Sequence, residues 1–245
     1  YDGVANMTTE EVEALIAEME YVISALKIPA VDPEVSDDNP QDMTSVIPNA
    51  DFELGATTNW SYSKNGGNGP VYDNAFNVGP GFEFWNGTVT NLRFDIYQEL
   101  YALPEGKYTL AADLANSYNG QAAQTNGGRA HLYAMVIVDG DTTTYSTPVE
   151  PQTEACLDLY ANYAVTFDVP ASTLNPKIIV GVKTVGTMDA RWFMGDNFTL
   201  MYFGTSSSKE NSGDMTSIEN VASGVTVLSS KFYSIGGAEV ATPQK

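Results

Sequence analysis

Apolar positions follow two periods along this chain. Over residues 8–27 they recur at helical spacing: Val12, Leu15, Ile16, Met19, Val22, Ile23 and Leu26 share one face, and glutamates crowd the other. Thr8 stands where an N-cap belongs, Glu11 three residues on completes a capping box, and Pro29 stops the helix. Such a stripe needs a surface to bury against, either the rest of this chain or an upstream domain of which this is the last helix. The second reading is preferred. Residues 29–45 then gather Pro29, Pro33 and Pro40 with Asp32, Asp37, Asp38 and Asp42, the composition of a linker or of an extended segment hugging a surface.

From residue 46 to 204 the period changes to two. Leu92, Phe94, Ile96 and Leu100 alternate with Arg93, Asp95, Tyr97 and Glu99. After the turn Pro104, Glu105, Gly106, the residues Tyr108, Leu110, Ala112 and Leu114 alternate with Lys107, Thr109 and Asp113. Further strands are expected over 130–138, at Tyr163, Val165, Phe167 and Val169, at Ile178, Val180 and Val182, and at Phe198, Leu200 and Tyr202. Seven to nine strands without helical interludes predict a mostly β fold: an antiparallel jelly-roll β-sandwich with an N-terminal amphipathic helix. Long polar loops are expected at 61–81, 116–129, 141–159 and 184–190, where binding residues tend to sit. Residues 205–216 read as a Ser-rich linker, and 217–245 as a small segment of short strands around a Gly236, Gly237 turn.

Composition narrows the functions open to such a domain. Hydrophobic residues make up 43% of the 245, enough for a core, and charged residues only 17%, so the polar surface is largely Asn, Thr, Ser, Gln and Gly. With 31 acidic and 11 basic residues the formal net charge is -20, and no Lys/Arg cluster is visible in the sequence. Nucleic acid is excluded as a partner on that balance, and anionic membranes are disfavoured. Cations and neutral ligands such as sugars remain compatible. Cys156 is the only cysteine and His131 the only histidine, so no intrachain disulfide forms and a His/Cys zinc site is ruled out. The sequence has no apolar run long enough to span a bilayer and no signal peptide, and it begins at Tyr1, which reads as a trimmed or mature fragment.

Sugars present apolar faces that stack on aromatic rings, and hydroxyls that need planar polar partners. The expected loops hold such residues: Trp85 as the preferred stacker, Tyr118 next, with Tyr62, Tyr72, Asn119 and Arg129 alongside. Trp60 and Trp192 are expected in the core. Paired carboxylates for glycoside hydrolysis carry no signal, because 31 acids place some pair close together by abundance alone, and none stands in a catalytic motif.

Three segments carry a family resemblance. They are Asn49, Ala50, Asp51, Phe52, Glu53 with Trp60; the run from Gln98 to Leu110; and Trp192 with Asp196, Asn197, Phe198, Thr199, Leu200. In this order and spacing the central domain resembles the galactose-binding-like jelly rolls, the superfamily of many non-catalytic carbohydrate-binding modules. The resemblance implies carbohydrate as the partner, bound by a monomer without catalysis, with a structural or adhesive domain as the alternative. It also implies a structural calcium between the first and last strands, at positions matching Glu53 and Asp196 with Asp51 nearby. Hard oxygens of that kind suit calcium. The stretch Lys231 to Lys245 looks like part of the C-terminal sorting segment of proteins exported by the type IX route, which implies secretion to the surface of a Gram-negative bacterium. It stops before the Gly-rich strand and basic end that usually follow, which reads as truncation.

Overall fold

The computed structural model describes residues 7–65, 68–71, 81–85, 93–117, 129–150, 160–171, 176–186, 192–205, 232–233 and 239–240. Helix α1 runs Thr9–Ala25, and both halves of the capping box form: the Thr8 hydroxyl accepts from the Glu11 amide at 3.2 Å and the Glu11 carboxylate accepts from the Thr8 amide at 2.8 Å. The strands are β1 Gln41–Asp42, β2 Ser61–Asn65, β3 Asn68–Val71, β4 Phe82–Trp85, β5 Arg93–Tyr101, β6 Gly106–Ser117, β7 Arg129–Val138, β8 Asp141–Val149, β9 Ala161–Val169, β10 Lys177–Val185 and β11 Trp192–Tyr202. They form two antiparallel sheets. The back sheet has the order β3-β4-β11-β6-β9, with β1 also on β11, and the front sheet has the order β2-β5-β10-β7-β8.

Alternation explains which way each strand faces. Phe94, Ile96 and Leu100 of β5, Leu132, Ala134 and Val136 of β7, and Ile178, Val180 and Val182 of β10 are buried between the sheets. They meet Phe82, Phe84, Leu110, Ala112, Leu114, Val165, Phe167 and Phe193 from the back sheet in one core. Gln98 is the polar exception on the inner face of β5, and its amide donates to the Pro48 carbonyl at 2.7 Å.

The opening and closing motifs meet in space. The Phe198 amide donates to the Ala50 carbonyl at 2.9 Å. Phe52 stacks on Trp60 at 4.8 Å between centroids, and Trp60 lies 4.8 Å from Phe198. Asn49 braces the turn between Phe52 and Trp60: its side chain donates to Gly55 and Thr58 carbonyls and accepts from the Leu54 amide. Trp60 is buried, as expected. The Trp192 backbone pairs with Trp85 on β4.

Several expectations need correction. Residues 61–81 and 141–159 were expected to be loops, yet they hold β2, β3 and β8. β8 carries no run of large apolar residues. It forms because Asp139 and Gly140, both at positive φ, make a tight turn that folds it back on β7. Pro148 is tolerated because β8 is the sheet edge. Of the two readings of residues 29–45, the surface-hugging segment is the one found: Val35 and Met43 are buried, and β1 pairs with β11. The helix α1 touches β5, but none of its residues is buried and Leu15, Ile16, Met19, Val22 and Ile23 keep about half of their surface exposed. Residues 209–245 form a separate unit in which β12 Phe232–Tyr233 pairs antiparallel with β13 Glu239–Val240.

Candidate functional site

The face of the front sheet turned away from the core is built from the alternate residues of five strands. Register fixes its rows. One runs Ser61, Tyr97, Gly181, Tyr133, Ser146 across β2, β5, β10, β7 and β8, and the next runs Ser63, Asp95, Lys183, His131, Pro148. Beyond them Asn65 pairs with Arg93, and Val185 with Arg129.

Gly181 shapes this face. A Cβ there would collide with the Ile96 carbonyl and lie 2.8 Å from the Tyr97 Cα. The missing side chain also leaves a path across β10. Through it the Tyr133 phenol, rooted on β7, reaches Asp95 on β5 and donates to its carboxylate at 2.9 Å. The Lys183 ammonium sits 4.2 Å from the Tyr133 ring centre, covering it. Tyr133 is thereby 1% exposed although it belongs to the outer face. Burial raises the Asp95 pKa, opposed by the Tyr133 hydrogen bond and the Lys183 charge. Burial also depresses His131, with the charges of Lys183 and Arg129 acting in the same direction, so the imidazole is neutral at pH 7.

Two clefts open on this face. One of about 400 Å³ lies at the β2, β5 and β10 end, between Ser63, Lys64, Asn65, Arg93, Asp95 and Lys183. The other, about 460 Å³, lies between α1 and β5, lined by Glu20, Ile23, Ser24, Asn59, Tyr97 and Tyr101 among others. At its edge Glu99 accepts from Tyr101 at 2.6 Å and from Lys177 at 2.7 Å. Half-buried tyrosine surface beside carboxylate, amide and hydroxyl groups is what a polyhydroxylated ligand requires.

The sequence-derived positions fall in different places. Tyr62 and Arg129 belong to the front sheet, but on strands and not in loops. Tyr62 is 46% exposed on the edge strand β2, opposite Ile96, and the Arg129 guanidinium stands 4.0 Å from Glu150. Trp85, expected in a loop, ends strand β4 on the back sheet, away from this face. Tyr72, Tyr118 and Asn119 lie outside the described residues. Sequence reasoning did not single out Tyr97, Asp95, Tyr133, Lys183 or Arg93. It also saw no Lys/Arg cluster, whereas the fold brings Arg93, Lys183 and Arg129 to one end of this face, with Lys177 at the other end on Glu99. Strand pairing assembles that cluster from residues far apart in sequence.

The metal candidates lie on the back sheet side. Asp196 is 7% exposed, and its carboxyl is pushed up to about 7, first by burial and then by the charges of Asp113, Asp51 and Glu53. The Asn197 amide, held at φ 52 in a bulge of β11, donates to it at 2.7 Å. Glu53 is exposed, and its amide donates to Asp51 at 3.3 Å. Among the described residues no three His, Cys, Asp or Glu side chains converge as a metal-holding group. An ion at this place would therefore draw on Asp196, on Glu53, and on backbone oxygens of the two motifs.

No protein-family model matches the chain, and no curated protein matches it. Solved structures do. The carbohydrate-binding module TmCBM61, in complex with β-1,4-galactotriose, is 21% identical with a TM-score of 0.41, over 63% of this chain and 96% of that one. A family 16 carbohydrate-binding module is 19% identical with a TM-score of 0.39, over 63% and 97%. The K3 adhesin domain of Lys-gingipain from Porphyromonas gingivalis is 15% identical with a TM-score of 0.39, over 63% and 97%. The likeness is one of fold. Among the described residues no helix is long and apolar enough to cross a membrane.

Proposed function

We propose that this chain is a non-catalytic glycan-binding domain and that the outer face of the front sheet is its binding surface. The observation that carries the reading is the cross-strand row Ser61, Tyr97, Gly181, Tyr133, Ser146, flanked by Asp95, Lys183 and Arg93 and opening into two clefts. The half-buried Tyr97 supplies ring surface, the half-buried Tyr101 extends it, and the amides and charged groups beside them match sugar hydroxyls, while Tyr62, paired with the inward Ile96, stands at the β2 edge as a further position to test. Arg129 borders the face. Trp85, Tyr72, Tyr118 and Asn119 stand as further positions to test. A structural calcium at Asp196 and Glu53 belongs to the same reading, supported by the meeting of the opening and closing motifs, where the Phe198 amide donates to the Ala50 carbonyl. Secretion to the surface of a Gram-negative bacterium, with residues 231–245 as part of a type IX sorting signal, completes it, supported by the antiparallel pairing of β12 with β13.

A glycan array followed by calorimetry tests the reading. Binding that falls at least about tenfold in Tyr97→Ala and Tyr101→Ala, with melting unchanged, supports it. Absence of binding to every glycan sinks it. The second reading, a structural or adhesive domain without sugar binding, is favoured by the exposed apolar stripe of α1.

A further inference from the structure

Helix α1 carries an apolar stripe that is left half open. Val12, Met19 and Leu26, then Leu15 and Val22, then Ile16 and Ile23 stand at the first, fourth and fifth places of a seven-residue repeat, the spacing that lays one helix along another. They keep between 37% and 83% of their surface exposed. Glutamates line both edges of the stripe, Glu11 and Glu18 on one, Glu13 and Glu20 on the other. No Lys, Arg or His precedes Lys27 to offset them. Glu11 accepts from the Thr8 amide and Glu20 reaches the Tyr101 hydroxyl, but a carboxylate takes further donors.

We propose that α1 docks an amphipathic helix of another protein, one with an apolar stripe of its own and Lys or Arg along both edges. The glutamates decide among the occupants such a stripe could take. A second copy of α1, parallel or antiparallel, would bring glutamate edge against glutamate edge, and like charges at those places oppose pairing. An anionic membrane repels the same edges, whereas helices that lie on such surfaces carry Lys and Arg there. Residues 28–245 offer no second amphipathic helical pattern, and α1 is the only α-helix among the described residues, so this sequence does not supply the partner. Lys or Arg edges turn each opposition into an ion pair worth about twofold in affinity, and four such pairs together give about tenfold. Docking on α1 does not depend on glycan binding by the front sheet.

The test pairs the whole chain with synthetic helical peptides of about 21 residues that place Leu and Ile at the three stripe positions of each repeat. One carries Lys along the edges, a second carries Glu there, and a third keeps the Lys edges with Ser in place of the apolar stripe. The Lys-edged peptide is expected to bind about tenfold or more tightly than the Glu-edged one at low salt, with the ratio shrinking as salt rises, and the Ser peptide is expected not to bind. Leu15→Lys with Met19→Lys is expected to abolish binding. Glu13→Lys with Glu18→Lys, one change at each edge, is expected to bring the ratio toward one, and two separate variants keep one folding failure from voiding the test. Equal binding of the Lys- and Glu-edged peptides by the wild type overturns the proposal, as does binding of neither. Binding of the Ser peptide, or binding that survives Leu15→Lys with Met19→Lys, reads only the net charge of -20 and overturns it too. Dimerisation of the whole chain in sedimentation equilibrium, lost in Leu15→Lys with Met19→Lys, gives the stripe to a second copy and overturns the partner named.

Discussion

The Tyr133 hydroxyl donates to the Asp95 carboxylate at 2.9 Å across an intervening strand, and the crossing point is Gly181. A Cβ at position 181 would run into the β5 backbone at Ile96 and Tyr97. It would also obstruct the path of the phenol. Gly181→Ala is therefore expected to push β5 and β10 apart and cost at least about 2 kcal/mol, as overpacking does. Urea denaturation measures this, and an unchanged midpoint would show that the sheet relaxes around the methyl group.

Removing only the hydroxyl separates the hydrogen bond from the packing. Tyr133→Phe keeps the ring under Lys183 and leaves the half-buried Asp95 without that donor, at a cost of about 1–3 kcal/mol. The pH dependence follows from linkage. The Asp95 pKa in the folded state already stands above its ordinary value of 3.8, and losing the donor raises it further. A carboxyl raised on folding costs stability as pH rises through its folded pKa. The deficit of Tyr133→Phe should thus be larger at pH 7 than at pH 4, as compared by denaturation midpoints.

Asn49 holds the opening motif in two ways. Its backbone adopts φ 55, which asparagine tolerates better than alanine. Its side chain makes three hydrogen bonds, at 2.8, 2.9 and 3.0 Å, that shape the turn carrying Phe52 to Trp60. Asn49→Gly loses the bonds and keeps the conformation, whereas Asn49→Ala loses both. Melting temperatures are expected in the order Asn, Gly, Ala, with a total loss of about 1–3 kcal/mol.

These cases show what the linear sequence carries. The faces of β5, β6, β9 and β10 were legible because one side of each strand is apolar at period two, and the aromatic cluster of Phe52, Trp60 and Phe198 because its residues stand out in two short motifs. The edge strands β2 and β8 were not, since neither face of β2 is buried and the apolar residues of β8 are few. Nor was the binding face. Asp95 and Tyr133 are 38 residues apart, and Gly181, which lets them meet, arrives with a third strand. The polar side of β5 was visible as alternation, but its partners follow only from the order β2-β5-β10-β7-β8.

Helix α1 makes a different prediction. Leu15 and Met19 share the apolar stripe of Ile23, which lines the cleft against β5, but stand nearer the N-terminal end of the helix and are 45% and 55% exposed. Since they bury little within the chain, the double change Leu15→Lys and Met19→Lys is expected to shift the melting temperature of the sandwich by less than about 2 °C. A larger loss would mean that the stripe is covered within the chain in solution.

Asp196 offers a test of the calcium proposal that does not depend on sugar. Its folded pKa of about 7 exceeds the ordinary 3.8 because the carboxyl is buried beside Asp113, Asp51 and Glu53. A folded pKa raised in this way favours the folded state at low pH, and the cost of ionising the group grows between about pH 4 and pH 7. In chelator, Asp196→Asn keeps an acceptor for the Asn197 amide and removes the charge. It should match the wild type near pH 4 and melt higher at pH 8. Millimolar calcium should reverse that order at pH 8, because a bound cation turns the repulsion among the carboxylates into ligation. The wild type would gain stability, and the variant would not. If calcium leaves the wild-type melting temperature at pH 8 unchanged, the ion site is lost.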